Sequence, residues 1–407
     1  MKFFGDKSIS HRALILSSLC KGTSTIKNIS NAIDINSTID CLELCGIKIL
    51  REKNIKLIGS KLKDPLQSLN CGNSGTTARL LIGFLVGQKV SATFIGDSSL
   101  SLRPMSRISV PLGLMGSEIS TNKGLLPISI KTQYLYGIDY SSKIASAQVK
   151  SSILLAGLGA GGITKLSEKY ATRNHTEIMM EKIGIDINII DNQIILKPIK
   201  YKLDPINIYI PGDPSTASFF AAAALLLKKE IILEKILLNK TRVGFFNIIE
   251  QMGAKIEYFN TKISFGEKMG DIRVIPNELH SIKIDKNMIP SIIDEIPIIA
   301  VLASQANGKT TLTGASELRY KETDRIKAIC SNLNNMGIKI NELNDGFIIN
   351  GKSKLQGTKI KTYKDHRIAM AFSIAGLISN GKTYIDDERC IKFSCPEFFS
   401  LLKELIN

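Results

Sequence analysis

The chain has 407 residues, of which 44% are hydrophobic, and this is enough for a buried core and for two or three domains. Lys and Arg number 53 against 37 Asp and Glu, so the net charge of +16 favours an anionic partner without distinguishing a nucleic acid from a small phosphate. The basic residues are dispersed and Trp is absent, which argues against a nucleic-acid surface.

The cysteines and histidines narrow the class of protein further. Seven cysteines form no CxxC pair and mostly lie among apolar residues, which is typical of reduced, buried thiols in the cytoplasm. Four histidines show no metal-ligand spacing, so no metal site is predicted. Residues 1–6 are too short for a signal peptide, and no apolar run is long enough to span a bilayer. We therefore predict a soluble, cytoplasmic protein.

The first predicted helix begins with cationic and hydroxyl side chains. Residues 5–12 read GDKSISHR and precede an apolar segment, residues 13–19. A helix start has unpaired N–H groups and a partial positive charge, so it binds anions readily. The spacing is not that of a Walker P-loop. Taken alone, the segment fits an anion site or a solvated first turn.

One pattern recurs six times along the chain: a small-residue apolar helix, a turn that usually contains Gly, and a strand rich in Thr and Ile. After five of the turns a second helix ends in an apolar residue plus Gly, and a stretch with hairpin character follows. Six such units predict an α/β fold built from repeats, three to a domain. The turns lie at Gly22, Gly87, Gly162, Lys229, Gly308 and Gly381.

The first helix of each repeat starts with polar residues and becomes almost wholly apolar, as in residues 212–227 and 365–378. Such helices are buried, and if they run in one sense their N-termini emerge together. Capping explains Ser74, Ser215 and Asp294 without a ligand. It does not explain the basic residues, which the helix dipole opposes. We infer an anion bound between several helix starts, in a positive cleft where two such faces meet.

Two further segments carry clustered charge. Residues 100–105 (LSLRPM) put Arg103 beside a proline, and residues 317–325 (ELRYKETDR) precede another helix. Helical spacing would put Lys321, Asp324 and Arg325 on one face, where a surface ion-pair ladder is an alternative to a binding site.

Eight short segments of the chain occur in the order that they have in the enolpyruvyl transferases, and the chain resembles that family from residue 5 to about 398. SAQVKS and ELRYKETDR look most like the class II bacterial members that act on shikimate 3-phosphate. The resemblance implies a two-domain inside-out α/β barrel of six βαβαββ repeats. It implies an N-terminal domain at 5–212 with most of the shikimate 3-phosphate site, a C-terminal domain at 213–407 with 1–4, and an active site in the cleft between them. The segments read GDKSISHR, GNSGTT, LRPM, SAQVKS, GDPSTAS, DEIP, ELRYKETDR and DHRIAM.

The reaction that the resemblance implies moves the enolpyruvyl group of phosphoenolpyruvate to the 5-hydroxyl of shikimate 3-phosphate and releases phosphate. It uses no metal or organic cofactor. The expected partners are these two small molecules alone, with no nucleic acid and no membrane, and the expected oligomeric state is a monomer. Because both substrates carry a carboxylate and a phosphate, the reaction accounts for the many cations.

The resemblance also implies roles for individual residues. Asp294 is the expected acceptor of the 5-hydroxyl proton, and Glu322 and Lys7 are candidates for proton transfer at C3 and at the leaving phosphate. The residues expected at shikimate 3-phosphate are Lys7, Ser8, Arg12, Ser146, Gln148, Arg173, Asp294 and Lys321. Those expected at phosphoenolpyruvate are Lys7, Gly75, Arg103, Gln148, Arg325 and Arg367.

Some positions depart from the family pattern or receive no catalytic role. The segment before Lys7 is short, so an edge of the C-terminal domain is expected to be incomplete. Phe393 stands where class I members carry a Lys, and Lys392, one residue earlier, is given no role. Gly75 leaves room in the site and predicts sensitivity to the inhibitor glyphosate. His11 is expected to be structural or to support the residues that touch the ligand.

Three alternatives compete with this interpretation. A UDP-N-acetylglucosamine enolpyruvyl transferase would carry a catalytic loop Cys, but Ser99 and Ser101 occupy the region beside Arg103. An RNA-binding or RNA-cyclising protein built on related repeats is suggested by the charge of +16. A catalytically inactive homologue is disfavoured by the presence of Lys7 and Asp294, with Glu322 and Arg325.

Overall fold

The chain forms two units in the computed structural model, which describes residues 1–131, 134–143 and 145–407. The N-terminal unit comprises Gly5–Ile210 and Ser264–Glu267. The C-terminal unit comprises Met1–Phe4, Pro211–Ile263 and Lys268–Asn407. Both mix helices and strands, as the repeats predict.

Three groups of elements make up the N-terminal unit. The first group consists of α1 (Lys7–Ser17), β1 (Gly22–Lys27), α2 (Ile33–Leu44), β2 (Lys48–Arg51) and β3 (Ile55–Gly59). The second consists of β4 (Leu69–Asn70), α3 (Gly75–Gly87), β5 (Ala92–Ile95), α4 (Ser106–Leu114), β6 (Glu118–Asn122) and β7 (Leu125–Lys131). The third consists of β8 (Asp139–Ser142), α5 (Ala147–Gly157), β9 (Thr164–Glu168), α6 (His175–Lys182), β10 (Ile187–Ile190) and β11 (Gln193–Leu196), and β12 (Asn207–Tyr209) follows it.

Each group contributes to a four-stranded sheet of one design. The strand orders are β12-β1-β3-β2, β4-β5-β7-β6 and β8-β9-β11-β10. The first two strands of each sheet are parallel and the others pair antiparallel. The first group starts with a helix, and β12, from the far end of the unit, supplies its missing parallel strand. The βαβαββ order is therefore present in all three sheets.

The C-terminal unit also has three groups of elements. The first consists of α7 (Pro214–Leu226), β13 (Ile231–Leu237), α8 (Gly244–Gln251), β14 (Lys255–Ser264) and β15 (Glu267–Ile275). The second consists of β16 (Lys283–Ile284), α9 (Ile289–Ile292), α10 (Ile296–Gln305), β17 (Gly308–Leu312), α11 (Arg325–Asn335), β18 (Ile340–Leu343) and β19 (Gly346–Gly351). The third consists of β20 (Lys359–Ile360), α12 (His366–Leu377), β21 (Tyr384–Ile385) and α13 (Phe398–Ile406).

The sheets of the C-terminal unit are less uniform. The second group repeats the four-stranded design in the order β16-β17-β19-β18. The first has three strands, β13-β15-β14, beside which Lys2 and Gly212 form single parallel bridges to Glu234 and Ile236. The third has only the parallel pair β20-β21, after which a helical turn and α13 stand where the other groups have a second helix and a hairpin. Residues 1–4 lie in this unit, and the terminal ammonium of Met1 donates to the carbonyl of Ile232 at 2.7 Å.

The helices that the sequence predicts to be buried are buried. Every residue from 214 to 225 in α7 and from 296 to 304 in α10 is buried. In the N-terminal unit α3 and α5 approach so closely that a Cβ at Gly83 would lie 2.1 Å from the carbonyl oxygen of Ser152. Glycine is therefore required at position 83, which explains the small residues in the predicted helix.

The cysteines are free and buried, as predicted. Burial, with smaller contributions from nearby Cys41 and Asp64, raises the pKa of Cys45 to about 12. This thiol therefore stays protonated at neutral pH. Within the described ranges, no helix has the length and apolar character needed to cross a membrane.

Candidate active site

In the N-terminal unit, hydrogen bonds join the first two turns of α1, α3 and α5. Arg12 of α1 donates to the hydroxyl of Ser151 in α5 at 2.7 Å. Gln148 of α5 donates to Thr76 of α3 at 2.9 Å and accepts from Arg79 of α3 at 2.6 Å. The three helix starts thus lie together within this unit, which is the arrangement that the repeats predict.

Lys7 is held at the start of α1 by an acidic partner. Asp6 caps the helix, because its carboxylate accepts from the backbone N–H of Ile9 at 2.8 Å. The Lys7 ammonium donates to Asp34 in α2 at 2.8 Å, and Thr77 donates to the backbone carbonyl of Asp34. The lysine charge is therefore fixed in place, although the helix dipole opposes it.

Arg12 lies among the residues predicted to hold shikimate 3-phosphate. It is only 3% exposed, and it donates to the Thr176 hydroxyl at 2.6 Å and to the backbone carbonyl of Ser8 at 2.9 Å. Arg173 reaches the Ser8 hydroxyl at 3.5 Å. Ser146 caps α5 through the backbone N–H of Val149. The structure thus brings Ser8, Arg12 and Arg173 together.

Two guanidinium groups flank the backbone at Gly75. A Cβ at this position would lie 2.9 Å from Nη1 of Arg79 and 3.4 Å from Nη1 of Arg103. Arg103 donates in turn to the side-chain carbonyl of Asn73 at 2.7 Å. Ser74 caps α3 by accepting from the backbone N–H of Thr77 at 3.1 Å. A helix N-terminus with two adjacent guanidinium groups suits an anionic ligand.

His11 is uncharged in this setting. It is fully buried, and its Nδ1 lies 2.7 Å from the hydroxyl of Thr38. Burial first, and then the charges of Lys7 and Arg12, hold the pKa of His11 well below its usual value. The ring therefore packs as a neutral group, in agreement with the expected structural role.

In the C-terminal unit, Arg325 gathers three carboxylates around one buried guanidinium. The side chain is 1% exposed and donates to Asp365 at 2.8 Å and to Glu322 at 2.7 Å. Asp294 lies 3.5 Å from Arg325 and 3.7 Å from the Lys321 ammonium. Burial would lower the pKa of Arg325, but Asp365, Glu322 and Asp294 outweigh it and raise the pKa. The predicted residues Asp294, Lys321, Glu322 and Arg325 are therefore neighbours.

Residues 321–325 do not form the helical ion-pair ladder considered as an alternative, because α11 begins only at Arg325. Asp324 caps α11 through the backbone N–H of Lys327 at 3.0 Å and pairs with Arg319 at 2.7 Å. Lys321 and Arg325 lie 3.7 and 3.5 Å from Asp294, and Arg325 also pairs with Glu322 at 2.7 Å.

Arg367 carries a buried charge, and two of its three side-chain nitrogens have no hydrogen-bond partner among the described residues. The side chain is 5% exposed, and its guanidinium lies 5.6 Å from the centre of the Phe219 ring. In the part of the chain that the structure describes, its Nε and Nη1 are buried and have no hydrogen-bond partner. Buried donors of a cation that lack an acceptor are costly, so this geometry suits a bound anion.

Sequence reasoning found the cations but missed the groups that hold them. Asp34 fixes Lys7, Asp365 fixes Arg325, and Thr176 accepts from Arg12. Asp365 was recognisable as a helix start, yet its partner lies 40 residues away. Asp34 lies in the first turn of α2, where the helix dipole already favours an acidic residue, so no sequence signal marks its pairing with Lys7.

We call the first set of residues the Lys7 cluster and the second the Arg325 cluster. The Lys7 cluster comprises Lys7, Ser8, Arg12, Gly75, Arg103, Ser146, Gln148 and Arg173. The Arg325 cluster comprises Asp294, Lys321, Glu322 and Arg325, together with Arg367, whose backbone N–H donates to the Asp365 carboxylate that also binds Arg325. Among the described residues, no group of three or more His, Cys, Asp or Glu side chains could hold a metal ion.

Comparison with known families decides what these clusters belong to. The family model described as EPSP synthase (3-phosphoshikimate 1-carboxyvinyltransferase) matches residues 1–402. The chain belongs to the EPSP synthase family. Its resemblance to the enolpyruvyl transferases is thereby confirmed.

Individual members of the EPSP synthase family are similar along nearly the whole chain. The 3-phosphoshikimate 1-carboxyvinyltransferase of Thermodesulfovibrio yellowstonii is 47% identical, over 98% of this chain and 95% of its own length. That of a Sulfurihydrogenibium species is 45% identical, over the same shares of the two chains. The solved EPSP synthase of Acinetobacter baumannii is 39% identical and superimposes with a TM-score of 0.88, covering 100% of this chain and 95% of its own. The α/β fold is thus that of solved EPSP synthases.

Proposed function

We propose that the chain transfers the enolpyruvyl group of phosphoenolpyruvate to the 5-hydroxyl of shikimate 3-phosphate, in the biosynthesis of aromatic amino acids. Membership of the EPSP synthase family supports the reaction. The observation within the structure that carries it is the buried guanidinium of Arg367, whose Nε and Nη1 have no hydrogen-bond partner in the described ranges. Phosphoenolpyruvate has both a carboxylate and a phosphate that could supply the missing acceptors.

Shikimate 3-phosphate is proposed to lie mainly against the Lys7 cluster. The hydroxyl of Ser146 and the charges of Arg173 and Lys321 would hold its phosphate. Ser8 and Arg12 would orient the ring hydroxyls and the carboxylate, for which a planar guanidinium is well suited. The proposed contact residues are Lys7, Ser8, Arg12, Ser146, Gln148, Arg173, Asp294 and Lys321.

Phosphoenolpyruvate is proposed to use residues of both clusters. Gly75 has no side chain, which lets the ligand approach the N-terminus of α3 beside Arg103. The sensitivity to glyphosate that Gly75 predicts is measured as inhibition of phosphate release by glyphosate, which should become weaker as the phosphoenolpyruvate concentration is raised. The proposed contact residues are Lys7, Gly75, Arg103, Gln148, Arg325 and Arg367.

The chemistry is proposed to run by addition and elimination. Two nearby cations stabilise the negative charge of Asp294. Asp294 takes the proton of the 5-hydroxyl while the 5-hydroxyl oxygen bonds to C2 of phosphoenolpyruvate and C3 gains a proton. The C2–O bond to phosphate then breaks, C3 loses a proton and the double bond forms again. Glu322 and Lys7 are proposed to move protons at C3 and at the leaving phosphate. No step calls on a cofactor or metal.

Detection of the product tests this proposal. Incubation with both substrates should yield one equivalent each of an enol ether at the 5-oxygen and of inorganic phosphate, visible by proton and phosphorus NMR. Arg367→Met should raise the KM for phosphoenolpyruvate at least tenfold, because removing a charge-assisted hydrogen bond costs about 1.5–3 kcal/mol. Folded wild-type protein that forms no enol ether would refute the reaction.

We also propose that the enzyme acts as a monomer in the cytoplasm and does not bind nucleic acid. The seven free, buried cysteines support a reducing compartment. Sedimentation in the presence of both substrates tests the monomer. RNA binding that survives moderate salt would contradict the proposal that the enzyme does not bind nucleic acid, because association through net charge alone weakens steeply as salt rises.

A further inference from the structure

One buried lysine of the N-terminal unit, Lys150, has no role in the proposed substrate contacts. Lys150 is in the second turn of α5 and is 2% exposed. Its ammonium lies 2.7 Å from a Glu168 oxygen, 2.8 Å from a Glu177 oxygen and 3.4 Å from the carbonyl of Thr172. An ammonium has three donors and no acceptor: here Glu168 and Thr172 accept hydrogen bonds from it, and Glu177 forms an ion pair with it.

All three oxygens belong to residues 168–177, which run from the end of β9 into the first turn of α6. The same residues are braced among themselves, because the Thr172 hydroxyl donates to the second oxygen of Glu168 at 2.6 Å. Between Glu168 and His175 the backbone has no regular secondary structure. Lys150 therefore fixes a loop that no helix or sheet ladder orders.

This loop carries two groups of the proposed shikimate 3-phosphate site. Arg173 directly follows Thr172 and reaches the Ser8 hydroxyl. Thr176 accepts from Nε of Arg12 and lies 2.6 Å from the Ser151 hydroxyl of α5. Lys150 itself lies four residues after Ser146 on α5. It thus joins the helix that presents one phosphate ligand to the loop that presents another.

We propose that Lys150 is a positioning residue for shikimate 3-phosphate, holding residues 168–177 against α5 so that Arg173, and Arg12 through Thr176, are set for this substrate. The inference rests on the proposed function. A lysine that only filled space could be replaced by an apolar side chain of similar length with no change in substrate affinity. A positioning lysine cannot, because its three contacts fix the direction of the loop.

Thr172→Val is the mildest test, because it removes the hydroxyl bond to Glu168 and keeps the shape. We expect the KM for shikimate 3-phosphate to rise about two- to tenfold, the effect of losing one net hydrogen bond. The KM for phosphoenolpyruvate should stay within twofold. Thr164→Val is the matched control: Thr164 is buried in β9, and in the described part of the chain its hydroxyl has no hydrogen-bond partner. It should leave both KM values unchanged.

Lys150→Met and Glu177→Gln test the charges themselves. Both should raise the KM for shikimate 3-phosphate selectively, and Lys150→Arg should restore part of the loss. Leu155→Ala, a buried apolar change on the same helix, separates stability from positioning: it should lower the melting temperature without a selective change in KM. If Lys150→Met does not fold, Thr172→Val and Glu177→Gln decide the question.

The inference is overturned if Thr172→Val and Glu177→Gln leave the KM for shikimate 3-phosphate unchanged, or raise the KM values for both substrates alike. Failure of the proposed function looks different, because the wild type itself would then release no phosphate when both substrates are present.

Discussion

Asp294 is the residue on which the proposed chemistry depends most. Its carboxylate lies 3.5 Å from Arg325 and 3.7 Å from Lys321, so the site stabilises the charged form that a base requires. Asp294→Asn keeps the shape and removes the charge. We expect kcat to fall by a factor of about 10²–10⁴, the usual contribution of a general base, with small changes in both KM values.

The steady-state rate of phosphate release measures this effect. Asp186→Asn is the control, because Asp186 forms an exposed ion pair with Lys197 at 2.7 Å and takes no part in either cluster. A kcat for Asp294→Asn within twofold of the wild type would remove Asp294 as the base.

His11 gives a prediction about stability and pH. The pKa of His11 is held below its usual value in the folded chain, so the unfolded chain binds a proton first as the pH falls. The free energy of unfolding should therefore decrease below about pH 6.5, by up to about 1.4 kcal/mol per pH unit. Urea unfolding at pH 7.5 and 5.5 should show a smaller loss in His11→Gln than in the wild type. Equal losses in the two proteins would contradict the burial of a neutral ring.

For individual residues, the sequence predicts the cations of the site better than it predicts the acidic side chains that pair with them. Lys7, Arg12 and Arg367 stand out because basic residues at helix starts oppose the dipole. The acids that hold Lys7 and Arg325 come from other helices, Asp34 from α2 and Asp365 from the start of α12. Such contacts exist only once the chain has folded.

At the level of helices and strands, local periodicity predicts the repeats, because the helices, turns and strands of each repeat are marked by residues close together in the sequence. The parallel strand of the first group is different. It comes from β12, and Thr25 pairs with Asn207 across the whole unit, which no local pattern can indicate. The third group of the C-terminal unit, with only β20 and β21, likewise departs from the uniform βαβαββ repeat that the resemblance implies.

The close packing of α3 against α5 gives a prediction at the scale of elements. Gly83→Ala would put a Cβ 2.1 Å from a backbone oxygen of α5, so the two helices must separate. We expect a loss of about 1–3 kcal/mol in the free energy of unfolding, as for other overpacked cores. These helices carry Gly75 and Gln148, so the KM for phosphoenolpyruvate should rise as well.

Gly113→Ala is the matched control for this substitution. Gly113 lies in α4, is exposed, and has no atom within 4 Å of the added Cβ. Because alanine favours a helix over glycine, the control should be neutral or gain up to about 1 kcal/mol. Equal effects of the two substitutions on urea unfolding would contradict the close approach of α3 and α5.

For the molecule as a whole, the charge of +16 alone could not distinguish a small phosphate from a nucleic acid. The placement of the cations is more informative, because several lie buried at helix starts, and this favours a small anionic ligand. The identity of the family then followed from similarity along nearly the entire chain.

The most direct test of the central claim is the release of inorganic phosphate from phosphoenolpyruvate, with and without shikimate 3-phosphate. We expect release only when shikimate 3-phosphate is present, and none with UDP-N-acetylglucosamine in its place. Release that does not depend on an acceptor, release with the nucleotide sugar, or no release from folded protein would contradict the account.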